Sequence, residues 1–168
     1  MPETGDRPQW YALRTRSRHE KLVRDRLKSQ GVEQLLPTLM RVSQWKDRKK
    51  IIEVPLFSGY CFAHFLWKER ISVLEVPGVV QIVGRGNSPD PLPNNEVGAL
   101  RRLVDSSLCY DAHPYLRQGM MVRVIRGPLE GISGILLRKE KHYRLLISVH
   151  LIKQAAAVEI DAADVVPA

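Results

Sequence analysis

The sequence has few cysteines and no long apolar run, and these absences exclude several classes of protein. Only two cysteines occur in 168 residues, Cys61 and Cys109, far apart and without a CxxC spacing. This count argues against a disulfide framework and against a cysteine-ligated metal site. Cys61 stands in an apolar run, so we expect a small buried side chain there. No stretch reaches the roughly 18 apolar residues that a membrane-spanning helix needs.

Signals for secretion and for catalysis are also missing. The stretch Met1–Asp6 contains no basic segment followed by an apolar one, so we expect no signal peptide, a cytoplasmic location and no membrane partner. The sequence contains no nucleophile–base arrangement, no paired acids at a recognisable spacing and no Gly-Lys motif that cradles phosphate. The histidines, which show no metal-ligand spacing, are His19, His64, His113, His142 and His150. We therefore predict no enzyme activity, no metal and no cofactor.

Acidic residues are outnumbered by basic ones. The chain has 18 Asp and Glu against 26 Lys and Arg, a net charge of +8 and a pI of about 9.8. Such a balance favours a polyanionic partner, and nucleic acid is the commonest one. On charge alone, a generically basic protein without such a partner is the alternative.

The first half of the chain alternates strand-like and helix-like patterns, which predicts an α+β domain. Aromatic and β-branched runs predict strands at Gln9–Thr15, Leu35–Trp45, Ile51–Val54, Phe57–Leu66 and Val79–Val83. Apolar residues at helical spacing predict helices at Arg18–Gln30, at Lys68–Glu75 and from Asn94 or Asn95 to about Ser107. The charged segment Asp47–Lys50 is predicted to form a hairpin tip.

The second half has a different pattern, which predicts a small all-β domain. Its short β-rich runs are Met120–Ile125, Gly134–Leu137, Tyr143–Val149 and Ala156–Ile160. A closed barrel would remove the exposed sheet edges of such a small domain. The preceding segment, Cys109–Gln118, has no clear period and contains a proline, so we predict a linker there.

The segment Gly119–Gly134 resembles a KOW motif. In Val122-Arg123-Val124 the two valines point to one face of a strand, and Gly127-Pro128 makes a turn. Gly131 supports a second tight bend because it tolerates positive φ. Gly134 lets the next strand pack closely. An ordinary glycine-rich hairpin is the alternative.

Motifs of the first half, in order, resemble the N-terminal domain of the NusG family. They are Trp10-Tyr11, Leu56–Tyr60, Val76–Val79 with Gly84, and Pro91–Pro93 leading into Glu96-Val97. Ser58 replaces the usual proline of the family's Phe-Pro-Gly-Tyr signature. The resemblance extends from Gln9 to Val166. It implies a NusG N-terminal (NGN) domain over 8–108 with an antiparallel sheet flanked by helices, a linker over 109–118, and a small SH3-like β-barrel, the KOW domain, over 119–168.

The resemblance implies a transcription elongation and antitermination factor. NusG-like proteins bind the clamp helices of the largest RNA polymerase subunit through the N-terminal domain. They contact the non-template DNA at the upstream fork, and they suppress pausing. Their KOW domain recruits Rho, or the ribosome through a small-subunit protein. We expect a monomer. The alternative is a KOW-containing RNA- or ribosome-binding protein whose basic first half is a general RNA platform.

The charged stretch Arg41–Lys50 and the compact length resemble the specialised paralogues of the family. These RfaH/UpxY-like antiterminators, which include the polysaccharide-operon regulators, act on selected long operons. The C-terminal domain of RfaH switches from helices to a barrel. Here Gly127, Pro128, Gly131 and Gly134 cost helix stability, so we predict a β-barrel in the free protein.

By the same resemblance, five residues are candidates for polymerase binding. They are Tyr11, Arg14, Leu56, Phe57 and Tyr60. Apolar patches with aromatic anchors concentrate binding energy, and Phe57 and Tyr60 match the family's contact positions. Arg14 occupies a position that is aromatic in RfaH, so the edge of the pocket differs. The alternative is that these are core residues.

Two basic groups are the candidates for nucleic-acid binding. One group lies at the strand–helix junction and on the exposed helix face: Arg16, Arg18, Lys21 and Arg24. The other group lies at the predicted hairpin tip: Arg48, Lys49 and Lys50. Each cation on a phosphate releases counterions, so such binding weakens steeply with salt. For each single residue, a solvated charged face is the alternative.

One turn of the KOW domain is the candidate for partner binding. It comprises Gly127, Pro128, Leu129, Glu130, Gly131 and Ile132. Because a turn projects beyond its strands, its side chains are accessible to a partner. Leu129 and Ile132 are apolar, and barrel core is the alternative for these two residues.

Overall fold

The computed structural model describes residues 6–84, 88, 90–106, 108, 110–114, 119–139 and 142–168. The chain divides into two compact units, Met1–Pro93 and Asn94–Ala168. The strands are β1 Gln9–Thr15, β2 Glu33–Leu35, β3 Thr38–Trp45, β4 Arg48–Pro55, β5 Tyr60–Phe65, β6 Val79–Ile82, β7 Tyr110–Pro114, β8 Met120–Val124, β9 Ser133–Lys139, β10 His142–Val149, β11 Gln154–Ile160 and β12 Val165–Pro167. The α-helices are α1 Glu20–Ser29, α2 Arg70–Leu74 and α3 Asn94–Asp105.

The first unit is built on a four-stranded antiparallel sheet in the order β2-β5-β1-β6. Tyr11 and Leu13 of β1 share one buried cluster with Val23 and Leu27 of α1. The two helix residues are four positions apart, so they lie on the same face of α1. Cys61 of β5 belongs to the same cluster, which confirms the prediction of a small buried side chain. The predicted first strand, first helix and central strand are likewise confirmed.

One glycine joins three elements of this unit at the end of β1. Glu20, the first residue of α1, is only 5% exposed, and its Oε1 accepts a hydrogen bond from the Gly59 N–H at 2.8 Å. The Gly59 carbonyl in turn accepts from the Thr15 N–H at 2.8 Å. Gly59 has a φ of +84°, a conformation that side chains with a Cβ disfavour. We call this group of Thr15, Glu20 and Gly59 the Gly59 clamp.

Strands β3 and β4 form a separate two-stranded sheet, which we call the ribbon. The last pair joins Trp45 to Arg48, so the turn consists of Lys46-Asp47 alone. The sequence predicted the tip at Asp47–Lys50, and this is wrong because Arg48–Lys50 lie in β4. A two-residue connection is enough to close a hairpin, and the run of charges does not show where strand pairing begins.

The second unit contains a six-stranded antiparallel sheet in the order β12-β8-β9-β10-β11-β7. Strands β8 to β11 are the four predicted strands, so the prediction of a β-structured C-terminal half is confirmed. Val122 and Val124 are both buried, as their alternation predicted. The ladder of the described strands is open, with β12 and β7 at its edges, where a closed barrel was expected. The outer edge of β11 is already paired with β7.

The segment predicted as a linker contains strand β7. Tyr110 pairs with Val158 and Pro114 with Gln154, so the segment adds a strand to the sheet of the second unit. An unpaired edge offers backbone N–H and C=O groups to any extended segment whatever its side-chain period, which is why the pattern did not predict the pairing. Cys109 and 115–118 lie outside the described residues. The domain boundaries stay a prediction.

Gly134, in β9, occupies a position without room for a side chain. A Cβ atom there would overlap the carbonyl oxygen of Leu146 and lie 3.0 Å from Cδ1 of Leu145. We expect Gly134→Ala to lower the free energy of unfolding of this unit by about 1–3 kcal/mol, the usual cost of overpacking. Urea unfolding followed by circular dichroism measures the change.

Gly98 on α3 provides the matched control, since no atom lies within 4 Å of a Cβ placed there. Gly98→Ala adds the same methyl group to the same unit, and we expect it to raise the free energy of unfolding by about 1 kcal/mol, because glycine is a poor helix former. Destabilisation of similar size by both substitutions would contradict the explanation by packing.

The Gly59 clamp gives a second prediction about stability. Glu20→Ala leaves the Gly59 N–H without its acceptor in a buried place, and we expect a loss of about 1–3 kcal/mol in the free energy of unfolding. Glu20→Gln keeps a side-chain oxygen and is expected to lose less. Chemical unfolding of both variants measures the difference, and equal losses would show that the hydrogen bond to Gly59 is not the stabilising contact.

Candidate functional site

A surface depression of about 260 Å³ lies where β1 ends. It is lined by Arg14, Thr15, Ser17, Glu20, Ser58, Gly59 and Tyr60. Arg14 pairs with Tyr60 across β1 and β5, and the Gly59 clamp fixes the adjoining turn against α1. The Thr15 hydroxyl is buried without a hydrogen-bond partner in the described part of the chain. We call this feature the strand-end depression.

The candidates for polymerase binding divide into two groups. Arg14 and Tyr60 line the strand-end depression, Arg14 being exposed and Tyr60 half-buried. The side chains of Tyr11, Leu56 and Phe57 are 0%, 3% and 2% exposed. These three are therefore core residues, which corrects the expectation that they present a contact surface.

The aromatic side chains of this core group contact other aromatic rings. The ring centroid of Phe57 lies 6.2 Å from that of Phe62 in an edge-on arrangement. The Tyr11 ring lies 4.8 Å from Phe65 and 5.3 Å from Trp67. Such pairs stabilise a core beyond the area that they bury. Tyr60 adjoins this group through its backbone, since its N–H donates to the Phe57 carbonyl at 3.2 Å.

The basic residues of the strand–helix junction also divide. Lys21 donates a hydrogen bond to the Glu53 carbonyl. Arg24 forms ion pairs with Asp25 at 3.0 Å and with Glu53 at 3.5 Å. These two cations attach α1 to the ribbon, and their role as DNA contacts stays a prediction.

Arg14, Arg16 and Arg18 form the other group, which we call the arginine rim. All three residues are exposed. In the described part of the chain, their guanidinium groups make no hydrogen bond, ion pair or ring contact. Arg14 was predicted to contact polymerase, and Arg16 and Arg18 were predicted to contact nucleic acid. The structure places all three at one end of β1. The rim is available to bind an anion.

The ribbon carries exposed residues of two kinds. Arg48, Lys49 and Lys50 are exposed on β4, and Lys50 makes an interaction within the chain. The apolar residues Met40, Val42 and Ile51 are 68%, 62% and 69% exposed. Val42 lies directly opposite Ile51 across the two strands. The sequence analysis did not indicate that this pair is exposed.

The candidate turn of the second unit is a tight bend between β8 and β9. Gly127 and Gly131 have φ values of +94° and +88°, which confirms the prediction that glycine is needed at Gly131. Leu129 and Ile132 are 1% and 8% exposed, so these two are core residues. Glu130 and Pro128 are exposed, and the Pro128 carbonyl accepts a hydrogen bond from Arg102 of α3 at 2.8 Å.

Three ionisable groups of the described residues have shifted pKa values, and none of these three lines the strand-end depression. Burial raises the pKa of the Cys61 thiol to about 12, with nearby Arg24 acting in the opposite direction. Burial also raises the pKa of the Tyr11 hydroxyl and that of the Glu96 carboxyl. Among the residues that the structure describes, no three His, Cys, Asp or Glu side chains group as metal ligands. None of the described helices is long and apolar enough to cross a membrane.

Several known proteins are similar to this chain in sequence and in fold. Three relatives are called transcription termination/antitermination protein NusG. The one from Helicobacter pylori strain J99 is 25% identical over 172 residues, which cover 90% of this chain and 93% of the relative. The one from Campylobacter jejuni is 28% identical over 166 residues (90% of this chain, 92% of the relative), and the one from Thermus thermophilus is 27% identical over 181 residues (95% of this chain, 98% of the relative). A solved structure titled "Domain interaction in Thermotoga maritima NusG" superposes with a TM-score of 0.58 at 22% identity (95% of this chain, 96% of that chain) and shows the same fold.

A match to a family model assigns this chain to a protein family. The model described as "Transcription termination factor nusG" matches residues 8–101, more than half of the chain. The matched range contains β1, the Gly59 clamp, the strand-end depression and the arginine rim. The chain belongs to the NusG family.

Proposed function

We propose that this protein is a transcription elongation and antitermination factor that acts by binding and performs no chemistry of its own. The observation that carries the proposal is the strand-end depression, where Arg14 and Tyr60 lie beside the Gly59 clamp. The relatives' names, which refer to termination and antitermination, support it. Binding one polymerase state more tightly than another shifts the enzyme toward that state. We place the protein in the cytoplasm, where bacterial polymerase works.

The polymerase contact is assigned to the strand-end depression, with the clamp helices of the largest subunit as the ligand. A half-buried tyrosine at the edge of a concave surface combines apolar area with a hydroxyl group, a common feature of interface anchors. Arg14, Ser17 and Ser58 supply polar groups around Tyr60. Phe57 acts from below by supporting the surface.

The nucleic-acid contact is assigned to the arginine rim and to Arg48 and Lys49 on the ribbon. The ligand is the non-template DNA strand at the upstream fork. Guanidinium groups that have no partner among the described residues lose no ion pair with those residues when they bind phosphate. The net charge of +8 attracts a polyanion over a longer range.

The C-terminal unit is proposed to recruit a second partner, either Rho or a small-subunit ribosomal protein. Pro128 and Glu130 are the exposed residues of its glycine-framed turn, and the buried Leu129 and Ile132 fix the shape of that turn. The charged ribbon supports assignment to the specialised antiterminators. The protein is expected to act as a monomer.

We expect Tyr60→Ala to weaken binding to purified RNA polymerase about tenfold or more, because truncating an interface anchor costs on the order of 2 kcal/mol. The lifetime of a defined pause, measured by elongation on an immobilised template, is then expected to return toward its value without factor. Tyr60→Phe is the matched control and is expected to retain most of the effect, since it keeps the ring.

Two results would reject the proposal. The first is a parent protein that leaves the pause lifetime unchanged. The second is a Tyr60→Ala variant that folds normally by circular dichroism and binds polymerase as the parent does. Salt-dependent binding to RNA without binding to polymerase would favour the other candidate, an RNA- or ribosome-binding protein that uses the same arginine rim.

A further inference from the structure

The turn between β1 and α1 contains an unfavourable backbone conformation. Arg18 has a φ of +62°, in the left-handed region that a residue with a Cβ rarely occupies. At six other described positions with positive φ, the chain has glycine: Gly31, Gly59, Gly78, Gly119, Gly127 and Gly131. Lys153 is the one further described residue of this kind, with a φ of +52° in the second unit. An arginine at position 18 is therefore unusual in this chain, which has glycine at most of its described positions with positive φ.

Neighbouring contacts fix this turn, so Arg18 cannot relax to an ordinary conformation without breaking them. The Arg16 N–H donates to the Gly78 carbonyl at 2.9 Å, and the His19 N–H donates to the Arg16 carbonyl at 3.1 Å. His19 Nδ1 lies 2.8 Å from the Ser17 carbonyl oxygen. A Cβ on Gly78 would lie 3.3 Å from the His19 Cβ, which shows how closely the turns pack.

The Arg18 side chain does not compensate for this conformation within the protein. It is exposed, and in the described part of the chain it makes no hydrogen bond, ion pair or ring contact. Glycine at this position would relieve the backbone without loss of any internal contact. Unfavourable conformations that persist in a native structure occur preferentially at functional sites, which points to a ligand as the source of the gain at Arg18.

We infer that Arg18 is retained for its guanidinium group, which binds a phosphate of a nucleic-acid strand next to Arg14 and Arg16. The inference rests on the proposed nucleic-acid contact and names the residue on which that contact depends most. Arg14 and Arg16 are both exposed, one on each side of the buried Thr15, and both stand within four residues of Arg18 in the chain. The rigid turn adds Arg18 beside them. Consecutive guanidinium groups suit the repeated phosphates of a nucleic-acid backbone.

Arg18→Gly in the full chain separates stability from binding. We expect the Tm to rise by roughly 2–4 °C, because the left-handed backbone is no longer unfavourable. We expect the affinity for a fluorescent single-stranded DNA oligonucleotide to fall about tenfold. The slope of log K against log salt concentration should become shallower by about 0.7, the change for one phosphate contact on a single strand.

Two further variants serve as controls. Lys153→Gly relieves the same kind of conformation in the second unit, and we expect a higher Tm with unchanged oligonucleotide affinity. Arg18→Lys keeps both the charge and the backbone strain, so the Tm and the salt slope should stay near those of the parent. Its affinity should fall by less than that of Arg18→Gly, because an ammonium group cannot bind phosphate in the bidentate manner of a guanidinium.

Three results would overturn the inference. One is unchanged oligonucleotide affinity and salt slope in Arg18→Gly; a second is a lower Tm, which would show that the side chain stabilises the fold. The third is loss of polymerase binding by Arg18→Gly with oligonucleotide binding intact, which would assign Arg18 to an acidic protein surface. The proposed function fails separately: a parent protein whose oligonucleotide binding depends on Arg18, but which leaves the pause lifetime unchanged, supports the inference and rejects that function.

Discussion

The carboxylate of Glu20 lies buried at the first residue of α1, where it accepts a hydrogen bond from the backbone of Gly59. A buried carboxylate is costly unless it is hydrogen-bonded, and this contact therefore fixes how the helix meets the turn before β5. The Gly59 carbonyl accepts from the Thr15 N–H and connects the same turn to the end of β1. The strand-end depression and the arginine rim both depend on this junction, because their residues lie in β1, in the β1–α1 connection, at the start of α1, and in the turn and first residue of β5.

The two kinds of cation around this junction show how charge is distributed between structure and function. Lys21 and Arg24 contact Glu53 and thereby attach α1 to the ribbon. Arg14, Arg16 and Arg18 have no such contacts in the described chain, and Arg14 lines the depression. Partially buried pairs of the first kind stabilise the unit, whereas exposed cations of the second kind attract a polyanion. The two groups of cations differ in position: one lies beside Glu53 and the other lies at the end of β1. Their spacing in the sequence is similar and does not distinguish them.

Sequence patterns predicted the order and type of most elements, and they failed where the result depends on how elements meet. The bend at Gly131 followed from local backbone chemistry and is confirmed by its φ of +88°. Burial of Phe57 depends on its contact with Phe62, and the pairing of β7 depends on the free edge of β11. The second contact joins segments far apart in the chain, and the first depends on how the turn before β5 folds. A local pattern contains neither. The positive φ of Arg18 was likewise hidden, because nothing in the residue type indicates it.

Hydrogen–deuterium exchange of the full chain, free and bound to an RNA polymerase elongation complex, tests the central claim most directly. The claim is that the junction around the Gly59 clamp is the surface that meets the transcription complex. The account predicts slower exchange on binding in the segments Arg14–Glu20 and Ser58–Tyr60, which line the depression and the rim. A bound complex in which both segments exchange as in the free protein, while protection appears elsewhere in the first unit, would contradict it.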